Sequence, residues 1–166
     1  MLDAKGHWLT TAGCSVMAAL AVMATAPPRK PGAAVDTGHA ELRRRVEDLA
    51  ARVRVIAELS AGERRGEMAA IAEALDETVR TQNEWEERVL YPTIDARTAC
   101  SGVALSALMQ IEHARMAQSI DALAELALGS SPDALRFAVT FERLVGLLLG
   151  HLEVEDRVLF RLLEPG

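Results

Sequence analysis

The chain has 166 residues, half hydrophobic and a quarter charged, which fits a single globular domain and excludes a disordered or fibrous segment. Its net charge of −6 argues against nucleic-acid binding. The two cysteines, Cys14 and Cys100, lie far apart, which excludes a disulfide framework or a CxxC zinc pattern and fits a reducing compartment. Alanine and leucine dominate the apolar residues, aromatics are few, and the six prolines fall at segment edges. That distribution predicts an all-α protein.

Residues 1–34 form an N-terminal segment distinct from the rest. Residues 7–26 carry no Asp, Glu, Lys or Arg, and "PPRKPG" closes the run. A membrane anchor needs roughly 20 apolar residues, and this stretch is diluted by Thr, Gly and Ser. "ATA" at 24–26 resembles a signal cleavage site, but Pro27 would follow the cut. An extension outside the core is the third reading. If the segment inserts, Arg29 and Lys30 keep the following domain in the cytoplasm, membrane-associated through residues 7–26; otherwise the chain is simply cytoplasmic.

Residues 35–166 read as four helices. The first, from about Asp36 to Leu59, places Val35, His39, Leu42, Val46, Leu49, Val53 and Ile56 on one stripe, alternating three and four apart. "SAGERRGE" breaks it. The second, from about Glu67 to Tyr91, carries Ile71, Leu75, Val79, Gln82, Glu86 and Val89, and Pro92 is expected to end it. A loop through "TIDARTACSG" follows. The third, from about Val103 to Leu128, carries Leu105, Met109, His113, Met116, Ile120 and Leu123. "GSSPD" stops and restarts the chain, with Ser131 as N-cap and Pro132 at the first helical position. The fourth runs to about Leu163 with Leu144, Leu148, His151, Glu155, Val158 and Leu162. Short connections between long helices predict an antiparallel up-down-up-down four-helix bundle.

The stripes are apolar except at His39, Gln82, Glu86, His113, His151 and Glu155. An ionised carboxylate is costly to bury unless a charge compensates it. Two of them facing one core, with three histidines, point to a metal centre. The start of one antiparallel helix lies beside the end of the next. His39, Glu86 and the His151–Glu155 pair therefore fall at one level, with His113 slightly deeper. The spacing His151-x-x-x-Glu155 sets both side chains on one face, one turn apart. Imidazole suits iron or zinc, and a carboxylate can bridge two metals. The competing reading is a satisfied polar core. One further pattern ties the two acids together: "EERVLYP" at 86–92 is nearly repeated by "EDRVLF" at 155–160.

With "GHAELR", "EERVLYP", "EHARM" and "HLEVEDRVLF" in this order, residues 35–165 resemble the hemerythrin-like, or HHE cation-binding, family. The resemblance implies a four-helix bundle around a non-haem di-iron site. It implies that His39, Glu86, His113, His151 and Glu155 are ligands, with Glu86 and Glu155 bridging. The family's helix-two histidines are replaced here by Gln82 and Asn83, and Ala117 stands where some members carry a second helix-three histidine. Gln82 then joins the ligand set only through its amide oxygen, or water fills the place. The expected cofactor is iron, two ions or one, with zinc or manganese as alternatives.

Two functional classes follow. One is a sensor or carrier that binds a small diatomic ligand such as oxygen or nitric oxide; the other is a redox enzyme acting on peroxide or nitric oxide. A degenerate bundle that keeps the fold for protein contacts and binds metal weakly or not at all is the alternative. The oligomeric state is left open. The remaining features have plain readings. The arginines of "LRRRVEDLAARVR", and Glu84 and Glu87, make a solvated face. Trp85 and Tyr91 pack, with Tyr91 able to tune a nearby metal by hydrogen bonding. Met109 and Met116 fill the core. Cys100 sits in a loop with no neighbouring cation to activate it.

Overall fold

The computed structural model describes residues 31–98 and 105–163. The uncharged run 7–26, Cys14, Cys100, Val103 and part of the expected loop lie outside these residues. Helix α1 spans Pro31–Val55 and tightens into a 3₁₀ turn, Ile56–Glu58. Helix α2 spans Ala61–Trp85, passes through a π-turn at Glu86–Leu90 and continues as α3, Tyr91–Thr98. Helix α4 spans Leu105–Leu128. Helix α5 spans Ala134–Val154, passes through a second π-turn at Glu155–Leu159 and ends in a 3₁₀ turn, Phe160–Leu163.

These elements make four rods. The first packs on the second and fourth, and the third packs on the second and fourth, so the rods form an antiparallel square. Cross-rod pairs show the direction. Arg80 pairs with Asp121 at 2.8 Å while His113 meets Glu87 at 2.8 Å, so α2 and α4 run oppositely. Among the described residues no helix is long and apolar enough to cross a membrane.

The main core is the set of stripes read from the sequence. Leu42, Val46, Leu49, Val53 and Ile56 face Ile71, Leu75, Val79, Met116, Ile120, Leu123, Leu144 and Leu148, all buried, and Phe137 and Phe141 extend it. A second, smaller cluster of Leu90, Tyr91, Ile94, Met109, Leu159 and Leu163 closes one end. The polar residues of the stripes lie between the two.

Four boundaries differ from expectation. Helix α1 begins at Pro31 and not at about Asp36, because a proline fits the first turn of a helix and Ala33, Ala34 and Val35 continue it into the expected linker. Helix α2 starts six residues early, because "SAGE" is a capping box: the Glu63 backbone donates to Ser60 Oγ and the Ser60 backbone donates to Glu63 Oε2 at 3.1 Å. The N-cap of α5 is Asp133 and not Ser131, since the Asp133 carboxylate accepts the Arg136 N–H at 3.0 Å. Pro92 does not end the second rod. It follows a π-turn, where the i→i−4 ladder is already interrupted, so its missing N–H costs little.

The π-turns also overturn part of the predicted stripe. Val89, Val158 and Leu162 are 50%, 45% and 37% exposed, whereas Leu90 and Leu159 are buried. An i→i+5 turn inserts one residue, as the Tyr91 N–H bonding to Glu86 O and the Phe160 N–H bonding to Glu155 O show. Every side chain beyond it is displaced one place along the face. Trp85, expected to pack, lies on the outer surface at 40% exposure, because it precedes the inward-facing Glu86 by one position.

The register change makes a test. Leu159→Ala should cost about 2–5 kcal/mol in urea denaturation, the range for emptying a buried leucine site. Val158→Ala should stay within about 0.5 kcal/mol, as exposed positions do. A regular α-helix through these residues would bury Val158 as well, three places on from Glu155, and would raise its cost toward that of Leu159.

Candidate metal centre

Five side chains converge between the two apolar clusters: His39, Glu86, His113, His151 and Glu155, none more than 4% exposed. Their ligand-type atoms form two triads that share Glu86, one with His113 and His151, the other with His39 and Glu155. In the first, His113 Nε2 lies 3.0 Å from His151 Nε2 and 3.2 Å from Glu86 Oε2. His113 thus stands in the same layer as the others, not deeper. In the second, His39 Nε2 lies 3.4 Å from Glu155 Oε2 and 3.6 Å from Glu86 Oε1.

Each imidazole is latched from behind by a carboxylate. The Nδ1 atoms of His39, His113 and His151 meet Asp156 at 2.7 Å, Glu87 at 2.8 Å and Glu112 at 2.9 Å. An ionised carboxylate only accepts, so each Nδ1 carries the proton and donates it. In the neutral ring this leaves the Nε2 lone pair aimed at the cluster. Arg43 holds Asp156 from the other side at 2.6 Å.

Sequence reasoning placed Glu87 on a solvated face and passed over Glu112 and Asp156. Glu87 is half-exposed, but its carboxylate turns back to His113; Glu84 stays outside as expected. The available signal was adjacency: each latch is the sequence neighbour of a stripe-breaking residue, and Glu87 and Asp156 hold the same place in the near-repeat. Which imidazole each would reach depends on how the rods pack.

Tyr91 is more than a packing residue. It is buried, and its hydroxyl donates to Glu155 Oε1 at 2.8 Å, lies 3.0 Å from His113 Nε2 and reaches Glu86 Oε2 at 3.4 Å. Tyr91 and Phe160 are equivalent in the repeat, and each ring faces a histidine: Tyr91 stacks on His113 and Phe160 tilts against His39. Gln82 reaches the cluster through its amide, which donates to Glu86 Oε1 at 2.6 Å.

The charges of the cluster act strongly on one another. Burial drives the Glu86 carboxyl upward, yet the imidazoles of His113, His151 and His39 around it and the Gln82 amide hold it below the usual range. Burial and then the Glu86 charge push Glu155 above it. Burial would lower His39 and His151, but the Glu86 carboxylate in front of them, with Asp156 behind the one and Glu112 behind the other, raises both. Burial, then the Glu155 and Glu86 charges, raise Tyr91.

The donor set fits a metal ion. His39 Nε2 and Glu155 Oε2 are buried with no hydrogen-bond partner and face each other. His113 Nε2 and His151 Nε2 point lone pairs at one another at 3.0 Å, which is repulsive unless a proton or cation lies near both. Atoms held about 2.1 Å from a common six-coordinate ion lie about 3 Å apart.

The family described as "Hemerythrin HHE cation binding domain" matches the chain over residues 31–163. No curated protein and no solved structure matches it.

The latches make a second test. Asp156→Asn and Glu87→Gln should each weaken binding of a divalent cation by about 10–100-fold, the usual loss when the partner of a metal-binding histidine is removed. Glu84→Ala should leave it unchanged. Calorimetric titration of the metal-free variants measures all three.

Proposed function

Since the chain belongs to the hemerythrin HHE cation-binding domain family, we propose that its buried cluster is a non-haem iron centre that senses, carries or reacts with a small molecule such as oxygen, nitric oxide or peroxide. Glu86, His113 and His151 would hold one ion; His39, Glu86 and Glu155 would hold a second. The observation that carries this reading is the pair of unpartnered buried atoms, His39 Nε2 and Glu155 Oε2, facing each other across 3.4 Å. The first triad supports iron in particular, because two imidazoles and one carboxylate with open positions suit ferrous iron. The second, with one nitrogen, is richer in oxygen and suits a harder ion; manganese and zinc are its competitors.

Ferrous iron held by these residues would supply an electron donor able to take a diatomic molecule or peroxide. The chain's own groups prepare the place. The carboxylate latches fix the imidazoles, Tyr91 orients the Glu155 carboxylate by donating to Oε1 and leaving Oε2 free, and the apolar layers on both sides limit water. Every acid or base in the cluster other than Tyr91 is a candidate ligand or the latch of one, which favours a binding or sensing protein over hydrolytic chemistry. The alternative, a degenerate bundle acting through protein contacts, draws on Gln82, whose amide is already satisfied by Glu86.

Anaerobic reconstitution with ferrous iron, followed by elemental analysis and melting, decides between them. Wild type should retain iron and gain roughly 2.7 kcal/mol at a hundredfold excess over the dissociation constant. Glu155→Ala should hold less metal and lose that gain, and Gln82→His should raise occupancy of the second position. Wild type that retains no iron, with Glu155→Ala no less stable, would leave the interaction bundle as the function.

A further inference from the structure

Two surface grooves approach the cluster, one on each flank of α2. The first, between α1 and α2, has a volume of about 270 Å³ and is lined by Gly38, Glu41, Arg45, Glu77, Thr81 and Gln82 among others. The second, between α2 and α4, has a volume of about 230 Å³ and includes Glu87, His113, Ala114 and Ala117. Only their inner ends distinguish them. The second meets His113, whose Nδ1 is closed by Glu87 at 2.8 Å. The first ends on Gln82, and the Gln82 amide is 2.6 Å from Glu86 Oε1, the oxygen that faces His39 Nε2.

Gln82 precedes Glu86 by four residues, as His151 precedes Glu155. In the second copy of the repeat that place sends a ring nitrogen to the cluster. In the first it holds a neutral amide, so the side of the His39 half that lacks a second ring nitrogen is the side lined by this groove. Gly38 keeps the amide uncovered: a Cβ there would sit 3.7 Å from Gln82 Oε1, and anything longer would extend across the groove floor. The lining discriminates by charge. Arg45 and Arg44 are tied to Glu41 at 2.9 and 2.7 Å, and Arg44 also to Asp48 at 3.0 Å, so these charges balance and Glu77 is left as the negative charge of the mouth.

We propose that the α1–α2 groove is the entry passage to the His39 half of the centre. Gln82 is its inner door, and the passage admits small neutral molecules such as nitric oxide or hydrogen peroxide in preference to anions. The proposal rests on the iron-centre reading and goes further in naming the route and the class of molecule.

The test uses the full chain loaded anaerobically with ferrous iron. Iron content and melting temperature are recorded for wild type, Gly38→Leu, Gly38→Ala, Gln82→Ala, Glu77→Gln and Ala117→Leu. Stopped-flow absorbance then follows the binding of nitric oxide and, separately, of azide. Gly38→Leu should slow nitric oxide association by about tenfold at unchanged iron content, Gly38→Ala by less, and Gln82→Ala should speed it. Ala117→Leu, which fills the other groove, should leave the rate within about twofold of wild type. Glu77→Gln should speed azide and not nitric oxide, since only the anion feels the mouth's charge. If wild type holds no iron, the iron-centre reading fails and takes the passage with it. If iron is held but Gly38→Leu and Gly38→Ala bind nitric oxide as fast as wild type, or Ala117→Leu is the slow variant, the passage alone is overturned. An azide rate indifferent to Glu77→Gln overturns the selection by charge.

Discussion

The rest of the molecule is organised around the cost of burying Glu86 and Glu155. Two carboxylates at full burial, close enough to share a histidine, cannot both ionise in an apolar bundle without a compensating charge. Everything around them works on that problem. Three imidazoles converge on the pair, a tyrosine hydroxyl holds one of them, and an amide holds the other. Even so, one nitrogen and one oxygen are left without partners. A fold selected only for stability would replace such a cluster with leucine, since hydrophobic isosteres of buried ion pairs are often as stable or more so. The polar layer is compatible with metal binding, and the two apolar clusters on either side hold it in place.

The two π-turns are the backbone counterpart of that layer. Each begins at one of the buried glutamates. The inserted residue lets a single stretch of chain present the glutamate inward, place the next acid behind a neighbouring imidazole and bring an aromatic ring under the site five positions later. A regular helix would carry the aromatic about a quarter-turn away from that face. The result is an approximate internal two-fold pattern: Glu86, Glu87, Leu90 and Tyr91 in one copy, Glu155, Asp156, Leu159 and Phe160 in the other. At the cluster the halves differ at three places, Gln82 against His151, Glu87 against Asp156 and Tyr91 against Phe160. One half therefore gathers two imidazoles and a phenol, the other a single imidazole beside an amide. Two ions bound here would not be equivalent.

The latching carboxylates couple this inner layer to the surface. Asp156 is shared between His39 and Arg43, while Glu87 and Glu112 are partly exposed. Each imidazole is thus fixed in orientation and tautomer by a group that water still reaches. The cluster is buried, and the geometry of its ring nitrogens depends on partly exposed side chains one position away in sequence from the candidate ligands.

How much of this was legible without coordinates follows from periodicity. Residues repeating every three to four positions declared the four rods, the face each buries and the six residues that break the apolar stripes, because burial on a helix is a local, one-dimensional signal. The short motifs in order declared the family for the same reason. Three things were not local. Val89, Val158 and Leu162 were read as buried because periodicity assumes a constant pitch, and the π-turns change it in mid-rod. Pro92 was read as a stop because its effect depends on whether the hydrogen bond it removes was there to lose. Glu87, Glu112 and Asp156 lie off the stripes of their own helices, and their partners stand on other rods, so only the packing angle between helices decided that they face an imidazole. The sequence alone determined which residues enter the core. The tertiary structure decided which of their atoms meet, because those distances depend on the register of one rod against the next.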